Sequence, residues 1–478
     1  MTILADMDGV GVQSAIAEDC ARGAIPPFVY CYPPRSAYRQ LGSEWTVDRI
    51  WGEEEAHSRS TDVNVYIHVP FCRYKCGFCN LYTVIANDVA LYDRYVEALC
   101  QHLRHATPVL SHRRIRTLYI GGGTPTLLAT RHFRRIFDQL SELCPDWRST
   151  VEEIAIEASP DSIVCESEAN YLENLVSCGV DRVNLGIQSM NRDELIEAGR
   201  SVAGVESVIA AIARIRASGV ANLSVDLMMG FLSQSDDDWA FSVDSVLSFM
   251  PETVSTYFLT IRPDAWFAKV GRYSYHRSPT LYQRYDFARQ RLLSCGYVQE
   301  SNVRYKLPGR GGYVQKVLHF HGVPVLGIGA GARTYTNTVD YVIGGGTTPG
   351  LEQILQYIAA AEKGTFTIKS GFVFDDDERV RKRVALDLFD LDLAELKHCP
   401  TKDELQWCFT LTAAAENLGL LRRIKPSHFQ LTSQGYKFRD ILSWAAFSRR
   451  VRALDRSFYQ GLSQLISLGS TSEVYRTA

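Results

Sequence analysis

The sequence predicts an α/β fold: a parallel sheet with helices outside, curled as a partial (β/α)6 barrel, carrying an N-terminal extension and a mainly helical C-terminal domain. Three observations lead there. From residue 63 onward, short β-branched or apolar runs alternate with helical stretches six times in succession, the pattern of parallel strands joined by crossover helices. The residue types able to carry chemistry fall at or near the predicted strand ends, where sites in such sheets lie. The chain has 478 residues, 46% of them hydrophobic, enough for one large barrel and an appended domain.

Residues 1–60 read as an irregular extension, because Pro26, Pro27, Pro33 and Pro34 interrupt any long helix. In the core, 61–340, Val63–Val69 reads as the first strand and Asp88–Arg104 as an amphipathic helix. Arg116–Ile120 is the second strand, followed by a glycine loop at 121–123 and a helix over Thr130–Leu143. Glu153–Glu157 is the third, with a helix over Ser167–Cys178 stopped by Gly179. Arg182–Ile187 is the fourth, then a helix Val205–Ala217 closed by Gly219. Leu223–Met228 and Thr253–Ile261 supply the last two strands, with a helix Asp237–Phe249 between them. Beyond the glycines at 344–346, residues 370–478 read as the helical domain, with amphipathic stretches Leu386–Leu396 and Glu404–Leu418 and a small strand and helix over Leu431–Trp444. The run LTSQGYKFRDIL reads as part of a lid over the barrel mouth.

Charge excludes some classes of partner. With 51 basic and 54 acidic residues the net charge is −3, which leaves no footprint for nucleic acid or an anionic membrane. No window reaches the roughly 18 apolar residues of a spanning helix. The first residues carry Asp6 and Asp8 and no basic stretch, unlike a secretory signal. The expected compartment is the cytoplasm.

Twelve cysteines are too few for a disulfide scaffold of this length, and nine are scattered, as small buried hydrophobes are. Cys72, Cys76 and Cys79 are crowded in YIHVPFCRYKCGFCNLY. A structural zinc site wants four ligands, and no second cysteine pair follows; His68 would be the one candidate to complete it, from within a strand. Three thiolates alone suit a [4Fe–4S] cluster with one iron left open to a small chelating molecule.

The Cys-x3-Cys-x2-Cys spacing resembles the radical S-adenosylmethionine (SAM) superfamily. YIHVPFC with GGGTPT resembles its HemN-like branch, the oxygen-independent coproporphyrinogen oxidases, and DRVNLGIQS, VDLMMG and GIGAGA follow in the same order. The resemblance implies a TIM-like radical SAM barrel, a HemN-type C-terminal domain, and a cluster held by Cys72, Cys76 and Cys79. It implies that SAM chelates the open iron through its amine and carboxylate. One electron then cleaves it to methionine and a 5′-deoxyadenosyl radical, which takes hydrogen from an unactivated carbon; the protein orients and shields this chemistry.

It also assigns residues. Tyr66, Gly122 and Glu157 would contact the cluster-bound SAM, and Phe78, Gly123 and Thr124 would line it and a second site. Gln188, Arg200 and Asp226 match positions around a second SAM, Arg200 pairing with its carboxylate. Thr260 and Arg333 stand at cofactor-lining positions where the branch carries alanine and a small or apolar residue. Read without the resemblance, the glycines are a strand-to-helix turn, Tyr66 a core aromatic, Glu157 a loop carboxylate and Arg200 a solvated helix-end cation. His319 and His321 form a His-x-His pair suited to packing or substrate hydrogen bonding more than to metal.

Within the branch, Asn80 replaces a fourth cysteine found in the coproporphyrinogen oxidase itself. The expected activity is therefore natural-product C-methylation or cyclopropanation of the class C type, in antibiotic biosynthesis, with two SAM molecules delivering a methylene to an sp2 carbon. The alternative is porphyrin or heme metabolism, as a coproporphyrinogen III dehydrogenase-like enzyme or a heme chaperone. The expected partners are an aromatic or alkene small molecule, a flavodoxin- or ferredoxin-type reductant and, for ring closure, a partner methyltransferase.

Overall fold

The structure is a computed structural model. It describes residues 9–57, 60–165, 168–200, 204–262, 265–269, 280–344, 350–395 and 405–468, with side chains through 460. Gly345, Gly346 and Cys399 lie outside these.

Six parallel strands form the heart of the molecule: β1 Asp62–Val69, β2 Arg114–Gly122, β3 Glu153–Ala158, β4 Arg182–Gln188, β5 Asn222–Met229 and β6 Thr253–Phe258. They lie side by side in chain order. Val325–Ile328 extends the sheet in parallel beside β1, and Arg304–Lys306 and Val298–Gln299 extend it antiparallel beyond β6. The nine strands form an open row rather than a closed ring, so the barrel is partial. Their Val, Ile and Leu side chains are almost wholly buried, from Val63 and Val65 to Leu223 and Val225, as expected of a parallel sheet covered on both faces.

Helices fill the crossovers. Val89–His105 starts where Asp88 accepts the Ala90 and Leu91 amides at 2.9 and 3.2 Å, and three basic residues sit in its last turn. Asp236–Ser248 begins with a reciprocal Ser235–Asp238 capping box.

Two expectations change. The N-terminal segment is not irregular: it holds helices Gly9–Ala21 and Val47–His57, with the four prolines confined between them. Val12 and Ile16 of the first share a core with Cys408 and Leu411 of Gln406–Asn417, so tertiary burial selects a helix that the sequence marks weakly. Of the stretch Leu386–Leu396, the described residues do not form a continuous α-helix. Asp376–Leu386 stops at Asp387, and Leu391–Asp392 instead joins a three-stranded sheet with Leu421–Lys425 and His428–Leu431; the apolar side chains there are spent on sheet pairing.

A four-stranded sheet ties the chain ends to the barrel. It runs in the order Arg39–Gln40, Ile368–Val373, Val339–Ile343, Arg333–Thr334. The extension is held further by Tyr32, whose hydroxyl donates to Glu378, and by the Ser36–Asp455 hydrogen bond. The segment Phe28–Leu41 thereby becomes a wall beside the barrel mouth.

Candidate functional site

The cysteine run leaves β1 through Phe71–Cys72, which pairs with Val84–Ile85, so the loop between is tied at its base. Its interior is docked by two backbone bonds, Gly77 N to Ala198 O at 3.1 Å and Phe267 N to Gly77 O at 3.0 Å. Gly77 permits this approach, because a Cβ there would lie 2.1 Å from the Phe267 ring.

All three thiols line one cleft of about 180 Å³ with Phe78, Gly122, Gly123, Thr124, Glu157, Gln188, Arg200 and Asp226. The structure thus brings together eight of the eleven non-cysteine residues expected at the cofactor. Tyr66 and Arg333 line a larger adjoining cavity, about 900 Å³, which also reaches Glu157. Thr260 lines neither; its hydroxyl donates to Phe258 O at 3.4 Å.

The glycine loop shapes the cleft. Gly122 has φ +116°, and a Cβ there would strike the His68 ring; at Gly123 it would lie 2.4 Å from Phe71 O. Glu157 spans the gap between strands, its Oε2 accepting the Gly122 amide at 2.7 Å and its Oε1 the Tyr119 hydroxyl at 2.8 Å. Gln188 adopts φ 71° at a register shift where β4 leaves the sheet, a left-handed conformation rare for a residue with a side chain and concentrated at functional sites.

Charge in the cleft is poised. Burial pushes the Cys72 thiol up to about 12, against a hydrogen bond from Thr124, and raises Cys79 as well. A thiolate here therefore needs a cationic partner. Arg200 Nε lies 3.2 Å from Cys76 Sγ. Burial works against that guanidinium, but Cys76, Tyr74 and Asp161 outweigh it and raise its pKa. Burial raises Glu157 and Asp226 too, and Asp226 Oδ1 is a buried oxygen without a hydrogen-bond partner.

Among the described residues no three His, Cys, Asp or Glu side chains converge at metal-binding separation; the thiols share a cleft without closing on a point. The donor set nevertheless fits a cluster better than zinc. His68 cannot complete a fourth ligand, since its Nδ1 is engaged by the Tyr66 hydroxyl at 2.9 Å and its Nε2 by Tyr82 O at 2.7 Å. Three thiols, a glycine cradle and an orphaned carboxylate oxygen are what a cluster with one open iron and a polar chelator would use.

Sequence reasoning passed over Tyr119, Asn184 and Gly186, which hold or line this cleft; only their places within the predicted parallel strands could have signalled them. It also passed over Arg262 and Lys316, which line the larger cavity from segments without motifs. His319 lines that cavity as well, whereas His321 faces Asp387 at 2.9 Å. LTSQGYKFRDIL belongs to the second core, and the cavity is lined instead by Trp444, Phe447, Phe458 and Tyr459 beyond it.

The family model described as Radical SAM superfamily matches residues 66–246. Heme chaperone HemW of Bacillus subtilis (strain 168) is 28% identical over 331 residues, 68% of this chain and 83% of the relative. Oxygen-independent coproporphyrinogen III oxidase of Salmonella typhimurium (strain LT2) is 28% identical over 232 residues, 48% of this chain and 49% of the relative. The solved structure of coproporphyrinogen III oxidase (HemN) from Escherichia coli superposes with a TM-score of 0.70 at 21% identity, covering 88% of this chain and 96% of that one, which shows a common fold. Residues 66–246 thus match the radical SAM superfamily, and the chain as a whole is similar to the HemN-like branch of it.

Proposed function

We propose that the chain is a radical SAM enzyme acting on a carboxylate-bearing, unsaturated small molecule, with a tetrapyrrole of heme metabolism as the class that fits best. The observation that carries this reading is the larger cavity. Among the described residues its lining includes Arg35, Arg39, Arg262, Lys316, Arg333 and Lys369 against one carboxylate, Glu157, and its walls are rich in tyrosine. Stacked rings suit a flat conjugated ligand, and an excess of cations suits its acid side chains. Relatives named for heme and for coproporphyrinogen lend support.

A [4Fe–4S] cluster on Cys72, Cys76 and Cys79 would supply the electron that cleaves SAM to methionine and a 5′-deoxyadenosyl radical. The chain's own residues do the rest. Gly122 and Gly123 leave room for a ligand against the backbone. Glu157, fixed from both sides, offers carboxylate oxygens to a polar ligand where cleft and cavity meet. Tyr66, Tyr119 and Tyr313 stack along the inner wall with ring centroids 6.1 and 4.9 Å apart and exclude water. The segment Phe28–Leu41 closes the outer side.

A second reading, transfer of a SAM-derived methylene to an sp2 carbon, is favoured by Asn80 and by the grouping of Gln188, Arg200 and Asp226 beside the cysteines. One experiment separates the readings. Anaerobically reconstituted, reduced protein is given methyl-deuterated SAM and coproporphyrinogen III. Decarboxylated tetrapyrrole with 5′-deoxyadenosine free of deuterium supports the first. Deuterium in 5′-deoxyadenosine with the tetrapyrrole untouched supports the second. Heme binding without SAM cleavage excludes both in favour of a chaperone.

A further inference from the structure

The large cavity has a distinct far end. The helix Val314–Phe320 presents Lys316 and His319, one turn apart, to the cavity. Lys316 and Arg333 flank one ring: Nζ lies 5.1 Å and the guanidinium carbon 5.1 Å from the Tyr30 centroid. Lys316 Nζ donates to Tyr30 O at 3.3 Å, and Arg333 donates to the Tyr30 hydroxyl and, at 3.4 Å, to Cys31 Sγ. None of these partners is a carboxylate. Neither cation lies within ion-pair distance of a carboxylate among the described residues. A third group points the same way: His319 is 4% exposed, packs its ring 4.9 Å from Tyr335, and leaves Nε2 buried without a hydrogen-bond partner. Two cations and an unfilled ring nitrogen around one spot form an incomplete shell, and burying such groups unpaired is costly.

We propose that Lys316 and Arg333, with His319, form an anchoring subsite for one carboxylate of the cavity's ligand, and that Lys316 is the residue selecting an anionic over a neutral head group. This deepens the reading that the cavity takes the substrate, and rests on it. Anchoring at this end leaves the remainder of a flat ligand along Tyr66 and Tyr119, towards Glu157.

The subsite has a consequence for protons. The groups facing Lys316 are Tyr30 and Cys31 of the extension, Arg304, Arg333 and Tyr335 of neighbouring strands, His319 of its own helix and Arg439 of the C-terminal domain. Burial pushes the Lys316 amine down to about 7; Cys31 opposes this, and Arg304, Arg333 and Arg439 add to it. Above neutral pH the empty subsite holds the amine largely uncharged. An arriving carboxylate draws a proton onto it, so carboxylate binding weakens as pH rises through that range.

The test uses the whole chain without SAM or reductant, so it stands apart from any failure of radical chemistry. Binding of 2-naphthoate and of neutral 2-naphthalenemethanol is followed by fluorescence at pH 6.5 and 8.5. The wild type should prefer naphthoate by about tenfold or more at pH 6.5 and lose much of that preference at 8.5. Lys316→Met and Arg333→Met should each erase the preference while still binding the alcohol, which also shows that they fold. Lys316→Arg should keep the preference and make it independent of pH. Calorimetry in phosphate and Tris at pH 8.5 should show proton uptake in the wild type and none in Lys316→Arg. Equal binding of the two probes, no binding of naphthoate, or a preference that survives in Lys316→Met overturns the proposal.

Discussion

Glu157 Oε2 accepts the Gly122 amide at 2.7 Å while Oε1 accepts the Tyr119 hydroxyl at 2.8 Å. One buried carboxylate thus fixes the conformation of the glycine loop that borders the cysteine cleft. Glu157→Gln keeps the size and one acceptor oxygen but converts the other to a donor facing a donor. SAM cleavage should fall by about tenfold to a hundredfold, while thermal stability at neutral pH changes by about 1 kcal/mol or less.

The same carboxylate gives a pH signature. Burial is the main cause that raises its pKa, ahead of the two hydrogen bonds that lower it. A group whose folded pKa lies above its unfolded value binds more protons when folded, so its contribution to stability declines as pH rises from the unfolded carboxylate range through the folded value. Unfolding of wild type and Glu157→Gln measured from pH 4 to 8 should show the variant gaining relative stability as pH rises. A constant difference would contradict this.

The glycine cradle predicts a packing cost. At Gly123 an added Cβ meets the Phe71 carbonyl, a backbone atom with little room to move. Gly123→Ala should lose about 2 kcal/mol in denaturant unfolding and bind SAM more weakly. Gly52, with nothing near its added Cβ, is the control, and Gly52→Ala in its helix should be neutral or stabilising.

His321 and Asp387 report on the C-terminal contact. The hydrogen bond that the His321 ring donates to Asp387 is the main cause raising the His321 pKa, at 2.9 Å. Stabilisation from this pair is fully present below the unfolded histidine value and is lost as pH rises through the folded one. His321→Gln should therefore cost more at pH 5.5 than at pH 8.5. The difference should be about 0.5 kcal/mol, because the ring is part exposed and screened.

The strands and their order were legible because period and position agree: six β-branched or apolar runs with five helical stretches between them. So were the cysteines, whose spacing carries its own chemistry, and the companions at strand ends, from Gly122 to Asp226. The helix Gly9–Ala21 was not legible, since its stability comes from burial against Gln406–Asn417, nearly 400 residues away. Lys316 and Arg262 were invisible for a related reason. A lone cation in sequence says nothing until the fold shows what surrounds it. Arg333 was noticed as a departure from the branch pattern, yet its place opposite Lys316 across Tyr30 needed the structure.

The most direct measurement is 5′-deoxyadenosine formation by the anaerobically reconstituted chain with SAM and dithionite, alongside iron and sulfide content. Wild type should hold about four irons and four sulfides and release 5′-deoxyadenosine with methionine in equal amounts, and Cys72→Ala, Cys76→Ala and Cys79→Ala should each abolish the release. Cleavage that persists in the cysteine variants, or a fully loaded cluster that leaves SAM intact, would contradict the account.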